Sequence, residues 1–274
     1  MTFGGSPASP EAHTRSYTGV VAGLYRDRGI VLRSIKLGEA DRIVTFLTEG
    51  RGKVRAVAKG VRKPKSRFGA RLEPTSHLFL QLYEGRNLDV VTQVETIDAN
   101  RALRESYGAF TQAIAMLEAV DHVAQEAEAN VALYRMLAAA LRTLAEDPVP
   151  AVSAAFFWKL LALEGVSPVL DACVRCDETV VDVAATFDVG EGGVLCRACA
   201  GSGAPVVPVA GLALVARMLN GGLRGVLAEP PGPALAEAES LALRALEHHL
   251  ERRLRSTPML LATIPGHAPR AEFQ

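Results

Sequence analysis

The sequence lacks any hydrophobic run long enough to cross a membrane. No apolar stretch among its 274 residues approaches the roughly 20 residues that a membrane-spanning helix needs. The first ten residues also lack the basic start and hydrophobic stretch of a secretion signal. We therefore expect a soluble cytoplasmic protein with no membrane partner.

The sequence also lacks the motifs of several common catalytic sites. It has no Gly-x-x-x-x-Gly-Lys-Ser/Thr loop for ATP, because the spacing in residues 50–53 is wrong. It has neither Gly-x-Ser-x-Gly nor His-Glu-x-x-His, and its six histidines are scattered. A nuclease would need a carboxylate cluster for magnesium, and the basic residues 51–71 supply none. We therefore expect a protein that is not an enzyme.

The formal net charge of zero hides an uneven distribution. Between Arg26 and Asp89 lie fifteen of the thirty Lys and Arg residues but only seven acidic residues. The first third of the chain is therefore basic and the remainder is acidic. Such an asymmetry is typical of a segment that binds a polyanion.

Hydrophobic periodicity divides the chain into a β part and a helical part. Residues 1–22 are rich in Gly, Ser, Pro and Ala and predict a flexible tail without an assigned function. Residues 23–98 have period two, which predicts a small barrel. Its five predicted strands are residues 29–35, 42–48, 53–59, 76–83 and 88–97.

Beyond residue 98 the period changes to that of helices, so we predict a helical domain over 99–260 and a tail over 261–274. A hydrophobic series from Leu103 to Val120 indicates the first helix. Further helices are predicted at 130–145, 152–163, 211–220 and 234–254. The predicted fold class is α+β with several domains.

The four cysteines form two Cys-x-x-Cys pairs with nineteen residues between them. This spacing is typical of a structural four-thiolate zinc site, because each pair brings two sulfurs to adjacent tetrahedral corners. The alternatives are two disulfides, a redox dithiol or unpartnered cysteines, and a reducing cytoplasm argues against disulfides. We predict one structural zinc ion in an insert over residues 171–203. Its ligands would be Cys173, Cys176, Cys196 and Cys199.

Residues 51–71 contain nine basic residues and no acidic residue. Phosphates would neutralise this charge, so the segment favours nucleic-acid binding, with a solvated charged loop as the alternative. Among the aromatics, Phe68 is the best candidate to stack on a base, whereas Phe46 and Phe79 are expected in the core. The predicted DNA-binding residues are Arg42, Lys53, Arg55, Lys59, Arg62, Lys63, Lys65, Arg67, Phe68 and Arg71.

Five short motifs occur in order in the basic part of the chain. They are residues 39–44 (Glu-Ala-Asp-Arg-Ile-Val), 52–53 (Gly-Lys), 58–63 (Ala-Lys-Gly-Val-Arg-Lys), 66–68 (Ser-Arg-Phe) and 72–74 (Leu-Glu-Pro). Together with the later paired Cys-x-x-Cys, this series resembles the bacterial RecO family of DNA repair proteins over residues 23–254. The positions that match the family's basic motif are Arg42, Lys53, Lys59, Arg62, Lys63, Ser66 and Arg67.

The resemblance implies an N-terminal OB fold, a helical domain and a zinc finger. It also implies a recombination mediator of the RecF pathway, cytoplasmic and associated with the nucleoid. Such a protein binds single- and double-stranded DNA, anneals complementary strands, and acts with RecR and single-strand-binding protein to load RecA. Two alternatives remain open: an adaptor that docks acidic protein tails on the same basic residues, and a sequence-specific transcription factor, for which no recognition helix is apparent.

Overall fold

A computed structural model describes residues 23–63, 66, 68–180 and 184–263. The predicted tail over 1–22 and most of the tail over 261–274 lie outside the described residues. The barrel strands are β1 (Leu24–Leu37), β2 (Asp41–Thr48), β3 (Gly52–Ala58), β4 (His77–Tyr83) and β5 (Asp89–Asp98), with a 3-10 helix at Gly69–Leu72 between β3 and β4.

The helical part contains a small second sheet. Its helices are α1 (Arg101–Glu105), α2 (Tyr107–Val123), α3 (Val131–Glu146), α4 (Ala151–Leu163), α5 (Arg197–Ala200), α6 (Val209–Leu219), α7 (Leu223–Leu227), α8 (Pro233–His249) and α9 (Thr257–Leu261). The strands of its sheet are β6 (Ala184–Asp188), β7 (Gly193–Leu195) and β8 (Val206–Pro208), in the order β7-β6-β8. Strand β8 lies beyond residue 203, where the predicted insert ends.

The five N-terminal strands close into a barrel in the order β1-β2-β3-β5-β4. Neighbours pair antiparallel, except that β3 and β5 run parallel with Ala56 opposite Asp89. Strand β3 shows why the sequence closes this way, because its small buried residues Val54, Ala56 and Ala58 alternate with less buried ones and face inward. Phe68, which precedes the 3-10 helix, and Leu72, its last residue, complete the barrel core. The predicted five-stranded, OB-like barrel is confirmed.

The barrel and the helices share a closely packed seam. Ile30, Leu32 and Leu47 belong to barrel strands, but their side chains pack in the core of the helical part. At Gly52, which has a φ of 68°, an added Cβ would lie 1.9 Å from the carbonyl oxygen of Glu128. Only glycine permits this approach, because it has no Cβ and tolerates positive φ.

The helical core is centred on α4, which is buried along most of its length. The indole nitrogen of Trp158 donates to the carbonyl of Ala238 in α8 at 3.0 Å. Helix α8 ends at His249, five residues before the predicted end. The cause is Glu247, whose carboxylate accepts from the backbone N–H of Leu254 at 3.0 Å and from the Thr257 hydroxyl at 2.7 Å, so that the chain turns back.

Candidate metal centre and nucleic-acid interface

The four cysteines converge on one point of the small sheet. Their sulfur atoms all lie within 4.8 Å of one another. The sulfurs of Cys176 and Cys196, which belong to different pairs, are 3.7 Å apart. Two ligands of a tetrahedral zinc ion, each about 2.3 Å from the metal, would be separated by about 3.8 Å. The cluster therefore has a donor set and a spacing that can hold a metal ion.

Backbone geometry prepares the first pair for a charged ligand. Asp177 adopts a φ of 62° and its N–H donates to the carbonyl of Cys173 at 2.8 Å, which closes a tight turn. The backbone N–H of Cys196, followed by those of Arg175 and Cys176, lowers the pKa of Cys173 to about 6. Hydrogen bonding with the Cys176 and Cys196 side chains raises the pKa of Cys199 to about 12. A bound cation would relieve this crowding of sulfurs, because it favours the thiolate form of each ligand.

Arg175 connects the two cysteine pairs. Its guanidinium donates to the carbonyl of Cys199 at 2.9 Å and forms a paired contact with the carboxylate of Glu191 in the β6–β7 turn. One side chain thereby links the first pair, the second pair and the turn between two strands. The sequence placed Arg175 inside a Cys-x-x-Cys but gave no sign of this role.

Three exposed cations of the barrel lie together in one turn. Lys59, Arg62 and Lys63 follow β3 and are all exposed. Among the described residues, none of the three forms an ion pair with a carboxylate. We call these three residues the basic turn.

The basic turn is held against the β1–β2 hairpin. The N–H of Gly60 donates to the Asp41 carboxylate at 2.7 Å, and the N–H of Arg62 donates to the carbonyl of Ala40 at 3.0 Å. The Arg62 guanidinium also donates to the carbonyl of Gly38 at 3.2 Å. The cationic side chains therefore stand on a fixed backbone.

Three other predicted DNA-binding residues, Arg42, Lys53 and Arg55, are partly buried. The ammonium of Lys53 donates to the carbonyl of Asp121 in α2 at 2.6 Å and lies 3.8 Å from its carboxylate. Its side chain is 17% exposed, so little of it is open to a DNA strand. Arg42 pairs with Glu73 at 3.0 Å, and the Nε of Arg55 is buried without a hydrogen-bond partner among the described residues.

Two aromatic predictions are wrong in opposite directions. Phe68 is 1% exposed in the barrel core and cannot stack on a base from there, whereas Phe79 is 46% exposed rather than buried. Phe46 is fully buried, as expected. The cause is the 3-10 helix, which folds Phe68 inward, and the outward register of Phe79 in β4. Lys65 and Arg67 lie outside the described residues, and Arg71 is exposed in a separate groove.

The OB-like barrel with a basic surface turn, joined to helices and a four-cysteine cluster that could hold a metal ion, is typical of a class of nucleic-acid-associated proteins. The family model for the N-terminal part of recombination protein O matches residues 22–100, and the model for its C-terminal part matches residues 104–258. The chain belongs to the recombination protein O family, RecO, and has a role in DNA repair and recombination. The predicted family resemblance is confirmed. In the part of the chain that the structure describes, no helix is both long and apolar enough to cross a membrane.

Proposed function

We propose that the chain is a recombination mediator without catalytic activity. It binds single- and double-stranded DNA, anneals complementary strands, and helps to load the recombinase onto strands coated by single-strand-binding protein. The observation that supports this proposal most directly is the basic turn, with three exposed cations on a fixed backbone. The family membership supports the setting in repair and recombination.

The basic turn suits binding that depends on charge and not on base sequence. Cations that contact phosphates release condensed counterions, and this release supplies most non-specific affinity for DNA. Phosphate contacts position the strand, whereas base edges carry the sequence information. A mediator that acts on any strand needs the first kind of contact, which the basic turn offers.

The same cations support the proposed protein partners. The acidic tail of single-strand-binding protein is a second polyanion that exposed Lys and Arg residues attract. RecR is proposed as a further partner, with RecA reached indirectly, in the cytoplasm and in association with the nucleoid. An adaptor that used the basic turn only for acidic tails would lose peptide binding, but not DNA binding, when the turn is neutralised.

We propose zinc as the metal of the cysteine cluster. Four thiolates favour zinc, and a site closed by four protein ligands leaves no open position for catalysis. The ion would stabilise the small sheet, since structural zinc binding is coupled to folding. We expect one zinc per chain by elemental analysis. Replacing Cys173 and Cys196 with Ser should abolish binding, and a fully retained zinc content in that variant would contradict the assignment.

The test of DNA binding compares the native chain with a Lys59→Ala/Arg62→Ala/Lys63→Ala variant across a salt series. The probe is a labelled single-stranded oligonucleotide. We expect the slope of log affinity against log salt to shrink by about one unit for each phosphate contact that is lost. The control is Arg142→Ala/Arg224→Ala, which removes two exposed charges from the helical domain. If the triple variant binds as the native chain does, the basic turn is not the DNA site.

A further inference from the structure

A second cationic groove lies where the barrel meets α1. It has a volume of 490 Å³ and is lined by the 3-10 helix, β5 and the start of α1. Its described cationic residues are Arg71, Arg101 and Arg104, and no acidic residue is among the described residues that line it. The basic turn and this groove stand near opposite ends of the β3–β4 connection.

The arginines of the groove have different roles. Arg104 is anchored, because its guanidinium donates to the carbonyl of Ala99 at 2.8 Å and to the Thr75 hydroxyl at 3.1 Å. Arg101 is exposed, and among the described residues no carboxylate lies within ion-pair distance of Arg101 or Arg104. The positive charges of Arg101 and Arg104 are therefore not neutralised by an ion pair with a described carboxylate.

Ser76 is a second, independent sign of a ligand. It lines the groove and is 1% exposed, yet its hydroxyl has no hydrogen-bond partner among the described residues. Its backbone is already used, since the carbonyl accepts from Val31 at 2.9 Å and the N–H donates to Glu73 at 3.2 Å. A buried hydroxyl without a partner is unfavourable. An oxygen of a ligand in the groove would accept its hydrogen bond.

We infer that this groove is a second anion site, which holds a phosphate group of the DNA backbone. Arginine guanidinium groups suit this ligand, because their N–H donors match phosphate oxygens. Arg104 would supply a fixed donor, while Arg71 and Arg101 would close on the phosphate from the rim. The inference rests on the proposed function, and it extends the DNA path from the basic turn to the junction with the helices.

The test is the same salt series with an Arg71→Ala/Arg101→Ala variant. Both residues are exposed, and Arg104 is left in place because it bonds the backbone. We expect the log–log slope to fall by about one unit, which near 0.1 M salt equals about a tenfold loss of affinity. The Arg142→Ala/Arg224→Ala control should bind as the native chain does, and circular dichroism should show all variants folded.

Ser76→Ala distinguishes a site with a specific hydrogen bond to phosphate from a surface that attracts DNA only by its overall positive charge. We expect this variant to lose several-fold in DNA affinity, because a phosphate oxygen loses a donor, while its thermal midpoint does not fall. If Ser76→Ala binds DNA like the native chain although Arg71→Ala/Arg101→Ala is impaired, the groove acts only through its general field and the inference is overturned.

Two competitors identify the source of the anion. Inorganic phosphate and an acidic peptide are titrated at constant ionic strength. If the arginine double variant binds DNA normally but loses either competitor, the groove serves free phosphate or a protein tail, and the inference is wrong. Failure of the proposed function looks different, because then the basic-turn variant is also unimpaired. An impaired basic-turn variant beside an unimpaired groove variant refutes the groove alone.

Discussion

Strand β3 and the turn that follows it carry the same kinds of side chain, yet the structure uses them differently. Lys53 in the strand contacts Asp121 in α2 at the seam, whereas Lys59, Arg62 and Lys63 in the turn remain exposed. At the seam, the cation pairs with a carboxylate and joins two parts of the fold. In the turn, the cations remain exposed and can contact a ligand. The difference teaches that a basic residue near a binding segment is a candidate contact only where no carboxylate has already paired with it.

The largest effect is expected at the closest approach in the seam. Gly52→Ala should lower the free energy of unfolding by about 4 kcal/mol, because the left-handed backbone disfavours Ala and the new Cβ overlaps a carbonyl. Gly38→Ala is the control, since Gly38 also has positive φ, at 57°, but an added Cβ meets nothing within 4 Å. Urea unfolding measures both. If both variants lost the same free energy of unfolding, the barrel and the segment at Glu128 could move apart at little cost, and the close approach at Gly52 would not matter for stability.

The next effect concerns a buried carboxylate in the helical core. Glu239 is fully buried, and burial raises its pKa from 4.5 to about 7, while Ser153 donates to it at 2.5 Å. The protonated form is favoured in the fold, so its stabilising contribution is complete below pH 4.5 and is lost as the pH rises through about 7. The loss amounts to about 3 kcal/mol.

Glu239→Gln should remove this pH dependence, because the amide does not ionise. Unfolding measured from pH 4.5 to pH 8 would show the native chain losing stability relative to the variant. Parallel curves for the two chains would contradict the raised pKa.

A smaller effect is expected at the ion pair that distinguishes the seam. Asp121 contacts both Arg33, at 2.5 Å, and Lys53. Asp121→Asn should cost about 2 kcal/mol, since the largely buried Lys53 and the more exposed Arg33 both lose their anion. Its slope of DNA affinity against salt should match that of the native chain. A changed slope would mean that Lys53, once released, reaches DNA after all.

The smallest effect on stability is expected in the basic turn. Lys63→Ala should change the free energy of unfolding by less than about 0.5 kcal/mol, because the side chain is exposed. The same change should reduce the salt slope by about one unit. Thermal unfolding and DNA titration on one preparation check both results. A clear loss of stability would show that Lys63, like Lys53, stabilises the fold.

The sequence predicted regular elements well where one face is buried. The strands predicted at 42–48 and 53–59 agree with β2 and β3 to within one residue, and the helix predicted at 152–163 agrees with α4. Strand β1 begins five residues before its predicted start. The sequence pattern missed Leu24–Arg28 because this segment is mostly polar, and its pairing with β4 makes it a strand. Such pairing depends on a distant strand, which local periodicity does not reveal.

The candidate sites follow the same division. Two Cys-x-x-Cys pairs specify a four-sulfur cluster by spacing alone, because ligand identity and separation are properties of the chain. The basic segment was likewise visible as charge. Burial of Phe68, exposure of Phe79 and assembly of Arg71 with Arg101 and Arg104 arose only when distant elements packed.

The sequence by itself therefore determined the two-part architecture, the cysteine cluster, the basic segment and the family. Periodicity, ligand spacing and local charge are short-range properties that a chain carries before it folds. Only the tertiary structure decided which cations are paired at the seam and which remain exposed. The physical reason is that pairing and burial depend on groups far apart along the chain, such as Lys53 and Asp121, which packing brings into contact.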